Sequence, residues 1–227
     1  MTSAPPELPI RDAATIIALR QGPTGAEVLM GRRHVNSAFM PNVYVFPGGA
    51  VDRGDNLVPL ARSLPEACSA RLGSQGPALA VAAIRELWEE TGLRLSIPGP
   101  WPAPPPDWAS FAAGGHRPDA GDLRFIFRAI TPKGRPRRFD ARFCVVDGAA
   151  FADLQSATDS NAELSDLRWV PVAETASLGL MPVTAVALIR AQEVWRSGES
   201  PADVPFFDGR DEGDNIARFR ARMLGDA

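Results

Sequence analysis

Three glutamates and an arginine on one short stretch are the residues of this chain best suited to chemistry. Residues 84–93 read IRELWEETGL, and Arg85, Glu86, Glu89 and Glu90 recur there at helical spacing. At about 100° per residue these four fall on one face, with Ala82 and Ala83 beside them. Ala80, Val81, Ile84, Leu87, Trp88 and Thr91 fall on the other. The apolar face suits packing on a sheet, while the polar face carries three carboxylates. Like charges three and four residues apart cost a helix roughly 0.2–0.5 kcal/mol per pair, and Arg85 relieves one at best. A divalent cation reverses that sign, because hard oxygen ligands suit Mg2+ or Mn2+. Taken alone, the pattern admits either such a cation site or a solvated acidic face.

The elements that must position this stretch are legible in outline. Residues 1–11 are proline-rich and expected as a flexible arm. Asp12 to Arg20 and Glu27 to Arg32 are β-rich runs separated by the turn residues of QGPTG, which predicts a hairpin. Val43 to Phe46 is a short strand that stops at Pro47-Gly48-Gly49, where glycine allows close backbone approach. Residues 50–76 are irregular, with one or two short helices broken by Pro59 and Pro65. Pro77 suits the first turn of a helix running to Thr91, and Gly92 suits its left-handed C-terminal cap. Pro98 to Pro106 is a loop or polyproline stretch, and 107–121 is irregular. Asp122 to Thr131, Arg138 to Asp147 and Glu163 to Val170 read as strands, and Met181 to Arg196 as a second long helix. Residues 201–227 form a polar tail with a short helix at Asn215 to Leu224. Strands, helix, strands, helix is the order of an α/β/α sandwich with a mixed β-sheet between helices.

Composition narrows the function classes. The 227 residues suit one domain with extensions, and 45% hydrophobic content supplies a core. A net charge of −3 gives no general pull toward nucleic acid or anionic membrane, so neither is expected as a partner. Cys68 and Cys144 follow no metal spacing and read as reduced thiols. With no charged-then-apolar leader and no apolar run near about 18 residues, a soluble cytoplasmic protein is expected.

Phe46-Pro47-Gly48-Gly49 and Arg85 to Leu93 together resemble the Nudix hydrolase family. Its box is a Gly, five residues, a Glu, seven residues, then R-E-U-x-E-E-x-G-U, with U a bulky aliphatic. Arg85, Glu86, Leu87, Glu89, Glu90, Gly92 and Leu93 satisfy every position of the second half. The first half departs from the pattern. Counting back from Arg85 reaches Pro77 where a Glu is due, while counting forward from Gly49 reaches Asp55. Residues 50–84 number 35 where the pattern allows 13, so about 22 are inserted. Asp52 or Asp55 replaces the missing carboxylate, or nothing does. Ile130-Thr131-Pro132 and PRRFDARF at 136–143, with Phe39-Met40-Pro41, are similar to a Nudix branch with an interrupted box that includes the mammalian peroxisomal coenzyme A diphosphatase.

The resemblance implies a Nudix domain over 12–200, with 50–76 as an insertion, and hydrolysis of a nucleoside diphosphate linked to another group. It implies Mg2+ or Mn2+ on Glu86, Glu89 and Glu90, a main-chain carbonyl at Gly48 or Gly49 as a further ligand, and Arg85 orienting a box carboxylate. Arg32, Arg33 and Arg138 are candidates for substrate phosphate. Asp52, Asp55 and Glu163 are candidates for an extra ligand or base. Coenzyme A or its acyl derivatives is the favoured small-molecule substrate by branch. ADP-ribose or NADH is the alternative substrate, and a non-catalytic nucleotide-binding module the alternative function. The insertion is open to three roles: a lid, a homodimer contact or a specificity element.

Overall fold

The computed structural model describes residues 9–37, 40–152 and 164–209. A long first strand, β1 (Ile10–Gly22), turns into β2 (Gly25–Arg33), as the hairpin signal requires. β3 (Tyr44–Val45) and β4 (Gly48–Ala50) follow, then α1 (Glu66–Leu72) and the long α2 (Gly76–Thr91). After α2 come β5 (Ser96–Pro98), α3 (Ala109–Ala112), β6 (His116–Pro118), β7 (Arg124–Ile130) and β8 (Arg138–Asp147). β9 (Leu164–Pro171), α4 (Pro182–Ser197) and β10 (Phe206–Phe207) complete the described chain.

The large sheet runs β10-β7-β8-β1-β2-β3, with β4 also on β1 and β9 also on β2. β1 lies parallel to β8 from Ile10↔Arg138 to Leu19↔Asp147, whereas its pairings with β2 and β4 are antiparallel. The sheet is therefore mixed. One face packs Ala14, Ile16, Ala18 and Leu29 against α2, and the other packs Ile17, Leu19, Val28 and Met30 against α4. This is the expected α/β/α sandwich. The alternation along β1 assigns each apolar residue to one of two cores.

Several elements differ from the sequence reading, each because a distant partner decides them. β1 begins at Ile10, within the stretch read as an arm, because Ile10 and Arg11 pair with Arg138 and Phe139. The 107–121 excursion contains α3 and half of a small β5–β6 hairpin, held by buried Trp108 and Phe111. Beyond residue 200, Phe206 and Phe207 add an edge strand to β7. The helix read at 215–224 and residue Glu163 lie outside the described residues. Among the described residues, no helix is long and apolar enough to cross a membrane.

The inserted residues are fastened to the sheet along their length. The Ala61 amide donates to the Pro118 carbonyl (2.8 Å), and the Ala120 amide donates to the Arg62 carbonyl (3.0 Å). Arg62 grips buried Asp119 through two nitrogens and reaches Asp122 at 2.6 Å. On α1, the buried Cys68 sulfur accepts the Phe125 amide at 3.2 Å. Both cysteines are free, in keeping with their spacing, and both are buried. At the end of the insertion, Gln75 donates to Asp12 (3.0 Å) and accepts from Arg142 (3.2 Å).

Asp119→Asn neutralises the buried carboxylate that Arg62 grips and sets an NH2 donor against one of its nitrogens. It should cost about 1–3 kcal/mol, as for a buried polar group left unsatisfied, and speed proteolysis within 50–76. An unchanged urea midpoint together with unchanged cleavage there would show that the insertion is not held by this contact.

Candidate active site

Four elements meet at the second half of the box. α2 is lined with Ala78, Ala80, Ala82 and Ala83, all buried, so the helix lies close on the sheet. Gly92 closes it in the left-handed conformation (φ 72°), and its amide donates to Trp88. The two glycines that open β4 are forced by proximity. A Cβ on Gly48 would lie 2.5 Å from the Ala14 carbonyl oxygen and 2.7 Å from Thr15 Cα. A Cβ on Gly49 would lie 2.4 Å from the Glu86 carboxyl carbon. Only a bare backbone lets Glu86 sit against this turn.

Arg85 is the hub of the site. Its Nε donates to Asp55 Oδ1 (2.9 Å), and its Nη2 donates to Asp55 Oδ2 (3.1 Å) and the Ala50 carbonyl (3.0 Å). Its Nη1 donates to Glu86 Oε1 (2.8 Å) and Glu89 Oε2 (3.0 Å). These bonds engage all five guanidinium N–H groups. Burial alone lowers the pKa of Arg85, but the Asp55 hydrogen bond and the charges of Glu86, Asp55 and Glu89 raise it above its ordinary value. The group stays a cation. Glu90 accepts the Gly48 amide at 2.9 Å and is buried, although the helical wheel put it on the polar face. That face is a protein interior on the Glu90 side and solvent on the Glu89 side, where Glu89 keeps 43% of its side chain exposed. Trp88, assigned to the apolar face, is half-buried and meets Phe111 edge-on at 5.8 Å.

Of the two aspartates left open by the sequence, the structure sets Asp55 against Arg85. Asp55 is 2% exposed and caps its own turn, accepting the Asp52 amide at 2.8 Å. Asp55 is also the residue reached by counting forward from Gly49, so the extra residues lie between it and α2. Asp52 is more peripheral, 3.7 Å from Arg85 and 3.6 Å from Arg11, with 62% of its side chain exposed.

The arginine candidates sit further out. Arg32 is exposed and Arg33 half-buried, on opposite faces of β2 as alternation requires. Arg138 is buried at the start of β8, and its Nε donates to the Thr131 carbonyl (3.0 Å), bracing the hairpin. The sequence reading missed the Asp12–Arg142–Gln75 cluster, in which Arg142 also donates to the Asp140 carbonyl at 2.7 Å. The periodicity of β8 gave Arg142 a face, but no local signal named partners so remote in sequence.

The donor chemistry fits a hard divalent cation. Three carboxylates lie along one face of α2, and the Glu86 carboxylate takes the space that a Cβ on Gly49 would fill. Arg85 and the Gly48 amide hold them here, and among the described residues no three Asp, Glu, His or Cys side chains form a ready-made cage.

No family model matches the chain. It is 33% identical over 175 residues to "Putative nudix hydrolase 7" of Caenorhabditis elegans, an alignment covering 70% of this chain and 51% of that protein. It is 25% identical over 236 aligned positions to the acyl-coenzyme A diphosphatase NUDT19 of Gallus gallus, covering 77% of this chain and 59% of that one. The chain thus spans between half and two thirds of the length of these relatives. The crystal structure of a Nudix hydrolase from Alicyclobacillus acidocaldarius superposes with a TM-score of 0.64 at 28% identity, covering 86% of this chain and 99% of that one. With the sandwich fold and the complete second half of the box, these relatives establish that the chain belongs to the Nudix hydrolase superfamily.

Proposed function

We propose that the chain is a divalent-metal-dependent pyrophosphohydrolase, cleaving the diphosphate linkage of a nucleoside diphosphate joined to another group. The observation that carries this reading is Arg85 gripping Asp55 with one edge and Glu86 and Glu89 with another, beside Glu90 on the Gly48 amide. Such an array fixes carboxylates at a cost in buried charge that packing alone does not require. A missing box glutamate favours a non-catalytic module; the Asp55 carboxylate held against Arg85, at the position reached by counting forward from Gly49, supports the enzyme reading instead.

In this mechanism Glu86 and Glu90, one turn apart, would hold Mg2+ or Mn2+, with Glu89 alongside. A cation held there would neutralise diphosphate charge and lower the pKa of a bound water. Asp55 fixes the Arg85 guanidinium, and Arg85 in turn fixes the Glu86 and Glu89 carboxylates by charge-assisted bonds. Glu89, the most exposed of the three, is the candidate to take a proton from attacking water when it is not itself a metal ligand. One of Arg32 and Arg33, which lie on opposite faces of β2, is the candidate to receive substrate phosphate. Coenzyme A or an acyl derivative is the preferred substrate, supported by the resemblance to the chicken acyl-coenzyme A diphosphatase. A cytoplasmic, soluble setting belongs to the same reading.

The direct test is phosphate release from coenzyme A, ADP-ribose, NADH and diadenosine polyphosphates, after phosphatase treatment, with Mg2+ or Mn2+. Turnover that EDTA abolishes and either cation restores is the expected outcome. No turnover on any of them, with no Mn2+ bound, would overturn the enzyme reading. Glu90→Gln should lower kcat by at least about 100-fold, the scale of losing a ligand-orienting contact, with an unchanged circular dichroism spectrum. Full activity in that variant would remove Glu90 from the metal set. Asp55→Asn should lower kcat by roughly 10–100-fold, and Asp55→Glu should recover most of it. Equal loss in both variants would mean that the site needs the shorter side chain, not merely a carboxylate at this position.

A further inference from the structure

The hairpin between β7 and β8 carries a charge that the site above does not use. Residues 131–137 read TPKGRPR, three cations with no acid, in a chain of net charge −3. The hairpin is closed by three bonds: the Thr131 amide to the Phe139 carbonyl (2.8 Å), the Phe139 amide to Thr131 Oγ1 (3.0 Å), and Arg138 Nε to the Thr131 carbonyl. Below it, the charges are balanced side by side. Arg142 bonds Asp12, and Arg128 holds Asp140 through Nε (2.8 Å) and Nη2 (2.6 Å). Arg135 and Arg137 are exposed at the tip, and no acid among the described residues engages them. The excess positive charge therefore sits at the tip.

Strand register places that tip on the active-site end of the sheet. Ala13 of β1 pairs with Ala50, whose carbonyl accepts Arg85. Three residues earlier on the same strand, Ile10 pairs with Arg138. The Val51 amide donates to the Asp12 carbonyl (2.9 Å), and Asp52 lies 3.6 Å from Arg11, which pairs with Phe139. Two strand spacings across and three residues along set the Ala50 and Arg138 backbones roughly 14 Å apart. A substrate whose diphosphate lies at Glu86–Glu90 would have to extend its nucleotide half across that gap to reach the tip.

We infer that the β7–β8 hairpin is a second anion subsite, in which Arg135 and Arg137 receive a phosphomonoester on the nucleotide half of the substrate, remote from the cleaved diphosphate. Two guanidinium groups match a phosphate dianion in charge and in bidentate geometry. The inference rests on the hydrolase reading for its substrate but not for its binding. It selects substrates with one phosphate beyond the diphosphate.

Coenzyme A and 3′-dephospho-coenzyme A differ only by such a group. Wild type should show a KM about tenfold lower for coenzyme A, the value of one good charge contact. Arg135→Gln with Arg137→Gln should erase that preference by raising KM for coenzyme A alone, leaving both kcat values within about twofold. Equal KM values in wild type, or a double variant that shifts both substrates alike, would overturn the subsite. A binding arm separates the two ideas. Calorimetry without metal should show adenosine 3′,5′-bisphosphate binding about tenfold tighter than AMP, a margin lost in the double variant and between about 0.05 and 0.5 M NaCl. If that holds while neither coenzyme is cleaved, the subsite stands and the hydrolase reading falls. If cleavage proceeds without discrimination, the reverse follows.

Discussion

The ion pair between Arg85 and Asp55 is the constraint on which the rest of the site depends. A guanidinium placed largely inside protein is tolerable only when its donors are met. Here Asp55, the Ala50 carbonyl, Glu86 and Glu89 meet all of them. That requirement propagates outward. β4 must bring its carbonyl under α2, which demands glycine at 48 and 49 and small residues along the buried side of the helix. The turn carrying Asp55 must be fixed in place, and its own carboxylate does so by capping the Asp52 amide.

β1 transmits this geometry through the molecule. It is 13 residues long and pairs with β8, β2 and β4. One strand thus sets the height of the glycine turn, the hairpin beyond Arg138 and the boundary between the two cores. A one-residue slip would exchange the cores and separate Ala50 from Arg85 together. The site and the fold are specified by one register.

What the sequence disclosed followed from local signals. The helix, its C-terminal glycine, the opening hairpin and the FPGG stop all have periods or turn residues that speak for themselves. Depth did not. A helical wheel separates Glu90 from Leu87 but does not show that the Glu90 side is roofed by the Gly48 turn. Nor did long-range pairing. Asp55 is 30 residues from Arg85, and counting back from the helix met Pro77 first. The early start of β1 and the two-residue strand at Phe206–Phe207 depend on neighbours more than 70 residues away, where no pattern in a short window can reach.

The fastening of the insertion has a consequence for how this protein comes apart. Arg62 binds it to the segment before β7, Cys68 to β7 itself, and Gln75 to β1 and β8. Releasing such a segment breaks contacts to β1, β7 and β8 together and uncovers Val58, Leu64 and Cys68, which share one core cluster with α2. Its opening is thereby coupled to the core. The amide hydrogens that are bonded across to the sheet side, such as that of Ala61, should exchange with solvent more slowly than those of an unfastened surface loop.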